Sequence, residues 1–229
     1  SACSLPQLPD GSVDYIFTDP PFGGNINYSE MNLLWESWLR VRTDTTEEAI
    51  VNRVQGKGIP EYRGLLRRAF SEMRRVLKDG AYLTVVFHNS SAQVWHALQE
   101  AIVDAGFSIA TTQTFDKRHG TFKQFVSSNA VGYDLVLHCR KAERRVLLQA
   151  NGKAASLENA ASFVRRALSQ QPTKYVLRYL HVRREDETDY RKLYAEWLAA
   201  GISKTLVNIS FDEFREVAAR IVRELGVGR

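Results

Sequence analysis

Apolar residues fall in two rhythms along this chain: short runs of β-formers, and longer stretches in which they recur every three or four positions. The first rhythm predicts strands and the second amphipathic helices. Tyr15-Ile16-Phe17, announced by the turn-like Pro9-Asp10-Gly11-Ser12 and stopped by Pro20-Pro21, predicts a strand from whose C-terminal end Asp19 projects. A helix opening at Asn27-Tyr28-Ser29-Glu30 then carries Met31, Leu33, Leu34, Trp35, Trp38 and Leu39 on one face. That spacing predicts core positions for the two tryptophans, with a base pocket as the alternative. Polar residues Thr43 to Gly58 include a short helical pattern at Glu47 to Val54. Leu65 to Leu77 has clean helical periodicity with Gly80 as its C-cap, and Ala81 to Phe87 predicts a buried strand. A helix through Val94, Trp95, Leu98 and Ile102 follows. Ser108 to Phe115 and Val131 to Cys139 are β-rich and are expected to pair antiparallel at a sheet edge.

From Arg140 onward cationic residues accumulate, and the turn pair Asn151-Gly152 marks a boundary. The expected division is 1–142 and 143–229. The second part predicts helices at about Leu157 to Leu168, at Asp189 to Ala200, and from the capping-box pattern Ser210-Phe211-Asp212-Glu213. Tyr175 to Val182 fits helix or strand. The fold class is therefore α/β: a partial Rossmann-like sheet ending in an antiparallel edge pair, with a C-terminal helical appendage.

Composition adjusts this picture slightly. The chain has 229 residues, 44% of them hydrophobic, enough for a sizeable core. No apolar run approaches membrane-spanning length and no secretory signal pattern opens the chain, so a cytoplasmic location is expected. Cys3 and Cys139 have neither metal-ligand spacing nor a disulfide framework. A net charge of +5 favours a polyanionic partner weakly.

The candidate chemistry lies at Asp19-Pro20-Pro21-Phe22. Proline has a carbonyl but no N–H and a fixed φ, so the loop offers a rigid rim of acceptors in the Asp19 carboxylate and the Pro20 carbonyl. Such a rim suits the two hydrogens of an exocyclic amino group on a nucleobase, with Phe22 stacking on a base taken out of the helix. This stretch resembles the Asp-Pro-Pro-aromatic motif of S-adenosylmethionine-dependent DNA amino-methyltransferases. Glu72-Met73-Arg74-Arg75-Val76-Leu77-Lys78-Asp79-Gly80 resembles a second segment of that family, with Asp79 where proline is usual and Ala81 where a second glycine is common.

The resemblance covers roughly Leu5 to Lys141 and is nearest to adenine-specific DNA methylases. It implies methyl transfer to adenine N6 in DNA, with S-adenosylmethionine as cofactor, Asp19, Pro20, Pro21 and Phe22 as catalytic residues, and Asp19 touching the cofactor's edge. It further implies Lys123 and Gln124, in a mixed basic and aromatic loop between Asp116 and Phe125, and Asn25 and Tyr28, in the continuation of the motif, as substrate-binding residues; His88 and Asn89 join them by position, at the end of the Ala81 to Phe87 strand on the same edge as Asp19. His88 and Asn89 equally fit capping of the helix that follows them. Cytosine-N4 methylation is the near alternative, and a non-catalytic nucleic-acid-binding fragment the distant one. No glycine-rich cofactor loop follows a strand in this sequence, so a cofactor-binding half upstream or on a separate chain is expected as partner, and the isolated chain is expected to bind cofactor poorly. No metal site is expected.

Overall fold

The computed structural model describes residues 1–24, 26–116, 133–143, 147–179 and 182–226. Cα packing divides the chain into two units: residues 1–89, 93–111 and 137–147, and residues 90–92, 112–136 and 148–229.

The first unit holds strands β1 (Val13–Thr18) and β2 (Leu77–Phe87) with residues 107–111 of β3 (Phe107–Asp116) and 137–141 of β4 (Tyr133–Lys141), and the strands follow the spatial order β1-β2-β4-β3. β1 and β2 are parallel, with Tyr15 beside Tyr82 and Thr18 beside Val85. Cross-strand contacts fix the other directions. Asp79 pairs with Lys141, and Thr84 meets His138, so β4 runs against β2; Ala142 N–H donates to Gly106 C=O, so β3 runs against β4. The expected antiparallel edge pair is thus present.

Alternation along these strands separates two faces. Leu83, Val85, Phe87, Leu137, Cys139, Phe107 and Ile109 are buried, together with apolar residues of α3 (Ile59–Val76) and α4 (Ala92–Asp104), among them Leu66, Phe70, Trp95, Leu98 and Ile102. On the other face Tyr15, Phe17 and Tyr82 are exposed. There a ladder crosses three strands: Tyr15 O–H donates to Thr84 Oγ1 at 2.8 Å, and Thr84 Oγ1 lies 3.0 Å from His138 Nδ1.

Three sequence expectations are corrected. Gly80 does not cap α3. The helix ends at Val76, Leu77 already pairs with Val13, and Gly80, at φ +78°, lies in the irregular stretch between that pair and Tyr15–Tyr82. A left-handed glycine serves a strand bulge as readily as a helix end. The segment Glu47 to Val54 is not helical: it holds a 3₁₀ turn at Thr45–Glu47 and a tight turn in which Asn52 Oδ1 accepts from Val54 N–H, because side-chain hydrogen bonds compete with the helix. The tryptophans after the motif are not core. The helix there is broken at Asn32 into α1 (Tyr28–Met31) and α2 (Leu33–Leu39), and Trp35 and Trp38 are 66% and 84% exposed.

The second unit holds α5 (Lys153–Gln170), the antiparallel hairpin β5 (Val176–Tyr179) and β6 (Val182–Thr188), α6 (Tyr190–Gly201) and α7 (Phe211–Leu225). The ambiguous stretch Tyr175 to Val182 is therefore largely strand. Buried Tyr194 lies within 5.8 Å, centroid to centroid, of Trp197, Phe211 and Phe214, and Val164, Leu168, Leu193 and Ile221 are buried with it. The capping box at Ser210 forms as expected: Ser210 Oγ accepts from Glu213 N–H, and the Glu213 carboxylate accepts from Ser210 N–H at 2.8 Å.

Candidate active site

β1 ends at Thr18, and the next residue, Asp19, is exposed at the C-terminal edge of a parallel strand pair. That edge is where open α/β sheets bind ligands. Pro20 is buried, and Pro21 and Phe22 are half-buried.

The motif loop is braced from three sides. Tyr62, 0% exposed on α3, donates its hydroxyl to the Pro21 carbonyl at 2.6 Å. Asn89, two residues past the end of β2, donates its amide to the Phe22 carbonyl at 3.1 Å and in turn receives the Trp95 indole N–H on its own carbonyl at 2.9 Å. The Phe22 ring stands edge-on to Phe87 with centroids 5.0 Å apart, and lies 4.3 Å from the His88 ring at 55°. Phe87 meets Trp95 edge-on at 5.0 Å. Burial pushes the Tyr62 phenol well above its ordinary range, so it is held as the neutral donor that the Pro21 carbonyl requires.

Glycines complete the bracing. Gly23 has φ +73°, and a Cβ there would meet Val94 at 3.3 Å; a Cβ on Gly24 would meet the Val51 carbonyl oxygen at 2.8 Å. Both therefore seat the loop against its own protein.

The described residues fit the acceptor side of the chemistry better than they fit a cofactor. A phosphate- or nucleoside-cradling loop leaves room where a Cβ would stand. Here Gly23 and Gly24 are closed by Val94 and Val51, Gly106 by Arg74, and Gly58 by its cap with Glu61, while Gly11, Gly56, Gly64, Gly80, Gly152 and Gly201 are open and lie outside the loop that follows β1, and Gly226 at φ +64° ends α7. The Gly23-Gly24 pair lies between β1 and α1, but with Val94 and Val51 against it the pair is not an open cradle. No cluster of His, Cys, Asp and Glu among them is built to hold a metal ion, and no helix among them is long and apolar enough to cross a membrane.

Of the residues singled out in the sequence, the fold brings together Asp19, Pro20, Pro21, Phe22, His88 and Asn89. Asn89 is 7% exposed and spends its amide on the loop. Tyr28 begins α1 and is 44% exposed. Asn25, Lys123 and Gln124 lie outside the described residues. Sequence reasoning missed Tyr62 and Val51 altogether and read Trp95 only as an apolar helix position. Tyr62 sits three residues before Leu65 on α3, which was a usable signal: a buried tyrosine must find a partner for its hydroxyl. The Glu72 to Gly80 segment is structural. Arg75 binds Glu72, Asp10 and the Leu5 and Leu8 carbonyls, and Glu72 accepts from Leu5 N–H, which fastens the N-terminal loop to the end of α3.

The model of the N6/N4 methyltransferase family, described as DNA methylase, matches residues 13–209. The chain belongs to this DNA methylase family. Solved structures similar to this DNA methylase include a SAM-dependent methyltransferase from Methanosarcina mazei, 14% identical over 63% of this chain and 66% of that one, with a TM-score of 0.35. Others are the cytosine-N4-specific PvuII DNA methyltransferase, 11% identical over 97% and 88% at TM-score 0.39, and a putative DNA modification methylase from Thermus thermophilus complexed with S-adenosyl-L-methionine, 13% identical over 96% and 90% at 0.35. Among curated proteins no match was found.

Proposed function

We propose that this DNA methylase holds the target amino group in S-adenosylmethionine-dependent methylation of adenine N6 in DNA. The observation that carries the reading is the exposed Asp19 carboxylate at the end of β1, in a loop fixed by Tyr62 and Asn89. Asp19 and the Pro20 carbonyl accept the two amino hydrogens, which draws the nitrogen lone pair out of conjugation with the ring. Phe22, with His88 behind it, forms the stacking surface for the flipped base. Asn89 acts through the loop, as a positioning residue. Lys123 and Gln124 are assigned to the DNA backbone near the flipped nucleotide, and Asn25 and Tyr28 to the substrate side of the motif.

The cofactor supplies the methyl group and belongs to a second half of the enzyme. Two features support that division. Gly23 and Gly24, the pair that follows β1, are closed by Val94 and Val51, and among the described residues β1 has a neighbouring strand on one side, with Tyr15 and Phe17 exposed. A parallel sheet is ordinarily covered on both faces. The carboxylate favours adenine over cytosine, because the cytosine-N4 relatives of the motif more often carry serine at this place.

The test is Asp19→Ala in the complete, cofactor-binding protein. Single-turnover methylation of adenine-containing duplex should fall by about a hundredfold or more, the loss of roughly 3 kcal/mol of transition-state interaction, while DNA affinity stays nearly unchanged. Full activity in the variant ends the catalytic assignment. Tight, stoichiometric binding of S-adenosylmethionine by the 229-residue chain alone ends the division into halves.

A further inference from the structure

The segment from Glu30 to Arg42 leaves its apolar side chains in solvent. Met31, Leu33, Leu34, Trp35, Trp38, Leu39 and Val41 are each between 59% and 84% exposed, whereas the single buried residue of α2 is Glu36, whose carboxylate accepts from the Thr43 hydroxyl. A helix that is apolar all round normally lies inside a protein. Counting a tryptophan as about 250 Å² and each of the other five side chains as about 180 Å², these residues expose roughly 970 Å², above the several hundred Å² of a monomer's largest patch and near the ~800 Å² that each partner gives to a stable interface.

The order of residues says what fits there. Taken outward from Glu36 in both directions, Trp38 answers Leu34, Leu39 answers Leu33, Val41 answers Met31, and Arg42 answers Glu30. An isologous contact demands this pattern, since residue i of one copy meets residue j of the other and j meets i. Two copies of α1–α2 laid antiparallel about a two-fold axis at Glu36, which is turned into its own chain, set Leu34 against Trp38, Leu33 against Leu39 and Met31 against Val41, leave Trp35 over Ser37 and Asn32 by Arg40, and put opposite charges at both ends. Glu30 and Arg42 are both exposed and so stand ready for that pairing.

We infer that the α1–α2 segment is a homodimer interface, in which a second copy of this chain packs antiparallel on Trp35 and Trp38 with Glu30 facing the partner's Arg42. This inference does not depend on the methylation reading, because the contact needs neither DNA nor cofactor.

The experiment is sedimentation velocity on the 229-residue chain from about 1 to 100 µM, without DNA or cofactor. The chain should reach twice its single-copy mass of 26.0 kDa. Trp38→Glu, at a side chain too exposed to disturb folding, should raise the dimer dissociation constant by about thirtyfold or more, as loss of a central aromatic anchor does. Glu30→Arg and Arg42→Glu should each weaken the dimer, and the two together in one chain should restore it. That rescue is specific to the antiparallel register. A chain that stays monomeric at the top of this range overturns the inference, as does a mixture of higher-order species, a Trp38→Glu variant of unchanged mass, or a double reversal weaker than either single one. Far-UV circular dichroism of each variant secures that the fold is intact.

Discussion

Replacing Tyr62 by phenylalanine removes one oxygen atom from a fully buried ring. The ring's packing in α3 is kept, so the change deletes little more than the 2.6 Å hydrogen bond to the Pro21 carbonyl. Losing a buried hydrogen bond and leaving its acceptor dry costs about 1–3 kcal/mol. For a chain of this size each kcal/mol moves the melting temperature by roughly 2–4 °C, so Tyr62→Phe should melt roughly 2–12 °C below the parent. The loss should be local as well as global. Val51 N–H donates to the Gly23 carbonyl at 3.4 Å, at the far end of the same loop, and its hydrogen exchange should accelerate when the loop loosens. In the complete enzyme the same variant should slow single-turnover methylation by about tenfold to a hundredfold, because a displacement of the order of 1 Å in a positioned group has that effect. Calorimetry, exchange at Val51 and single-turnover kinetics read the three consequences. A Tyr62→Phe protein that melts within about a degree of the parent, with Val51 exchange unchanged, would show that the motif is not held in place by this bond.

Gly24→Ala should destabilise by about 1–3 kcal/mol, measured by urea unfolding, because its Cβ would stand 2.8 Å from a backbone carbonyl that cannot swing away. Ser210→Ala should cost about 1 kcal/mol in the same assay through loss of the α7 cap. Burial raises the folded-state phenol pKa of Tyr62 and Tyr194, so their contribution is intact below the unfolded value of about 10 and is lost as pH climbs from there toward the folded one. The urea midpoint should therefore fall between about pH 9.5 and 11, and less steeply in Tyr62→Phe. Lys123→Ala should weaken DNA binding and reduce the slope of log affinity against log salt by about 1, with a smaller effect on single-turnover rate; an unchanged slope removes Lys123 from the DNA backbone.

The strands themselves and the placing of Asp19 could be read from the sequence because both are set locally, by β-forming runs and by prolines that no paired strand accepts. Two of the three corrected elements share a different cause. Periodicity states that α2 has apolar positions but not what covers them, and its tryptophans are exposed because no described element reaches them. Gly80 carries a left-handed φ that two kinds of element can use, and the pairing of Val13 with Leu77, far away in sequence, decided between them. α3 begins at Ile59, earlier than its clean periodicity, because Gly58 caps it through Glu61 and Pro60 suits a first turn. In the site, the motif was legible and its support was not: Tyr62 and Asn89 act through single polar atoms whose partners lie 41 and 67 residues away, and Trp95 holds Asn89 in the same manner.

The ladder of Tyr15, Thr84 and His138 gives the open side of β1 a reporter two strands inward. With Tyr15 donating to it, the Thr84 hydroxyl gives its proton to His138 Nδ1 in the tautomer that carries the imidazole proton on Nε2, and accepts from Nδ1 in the other. A neighbour that draws the Tyr15 hydroxyl toward itself frees a lone pair on Thr84 and so shifts the balance between the two tautomers. The nitrogen resonances of a single histidine would thus announce the arrival of a companion strand that never touches it.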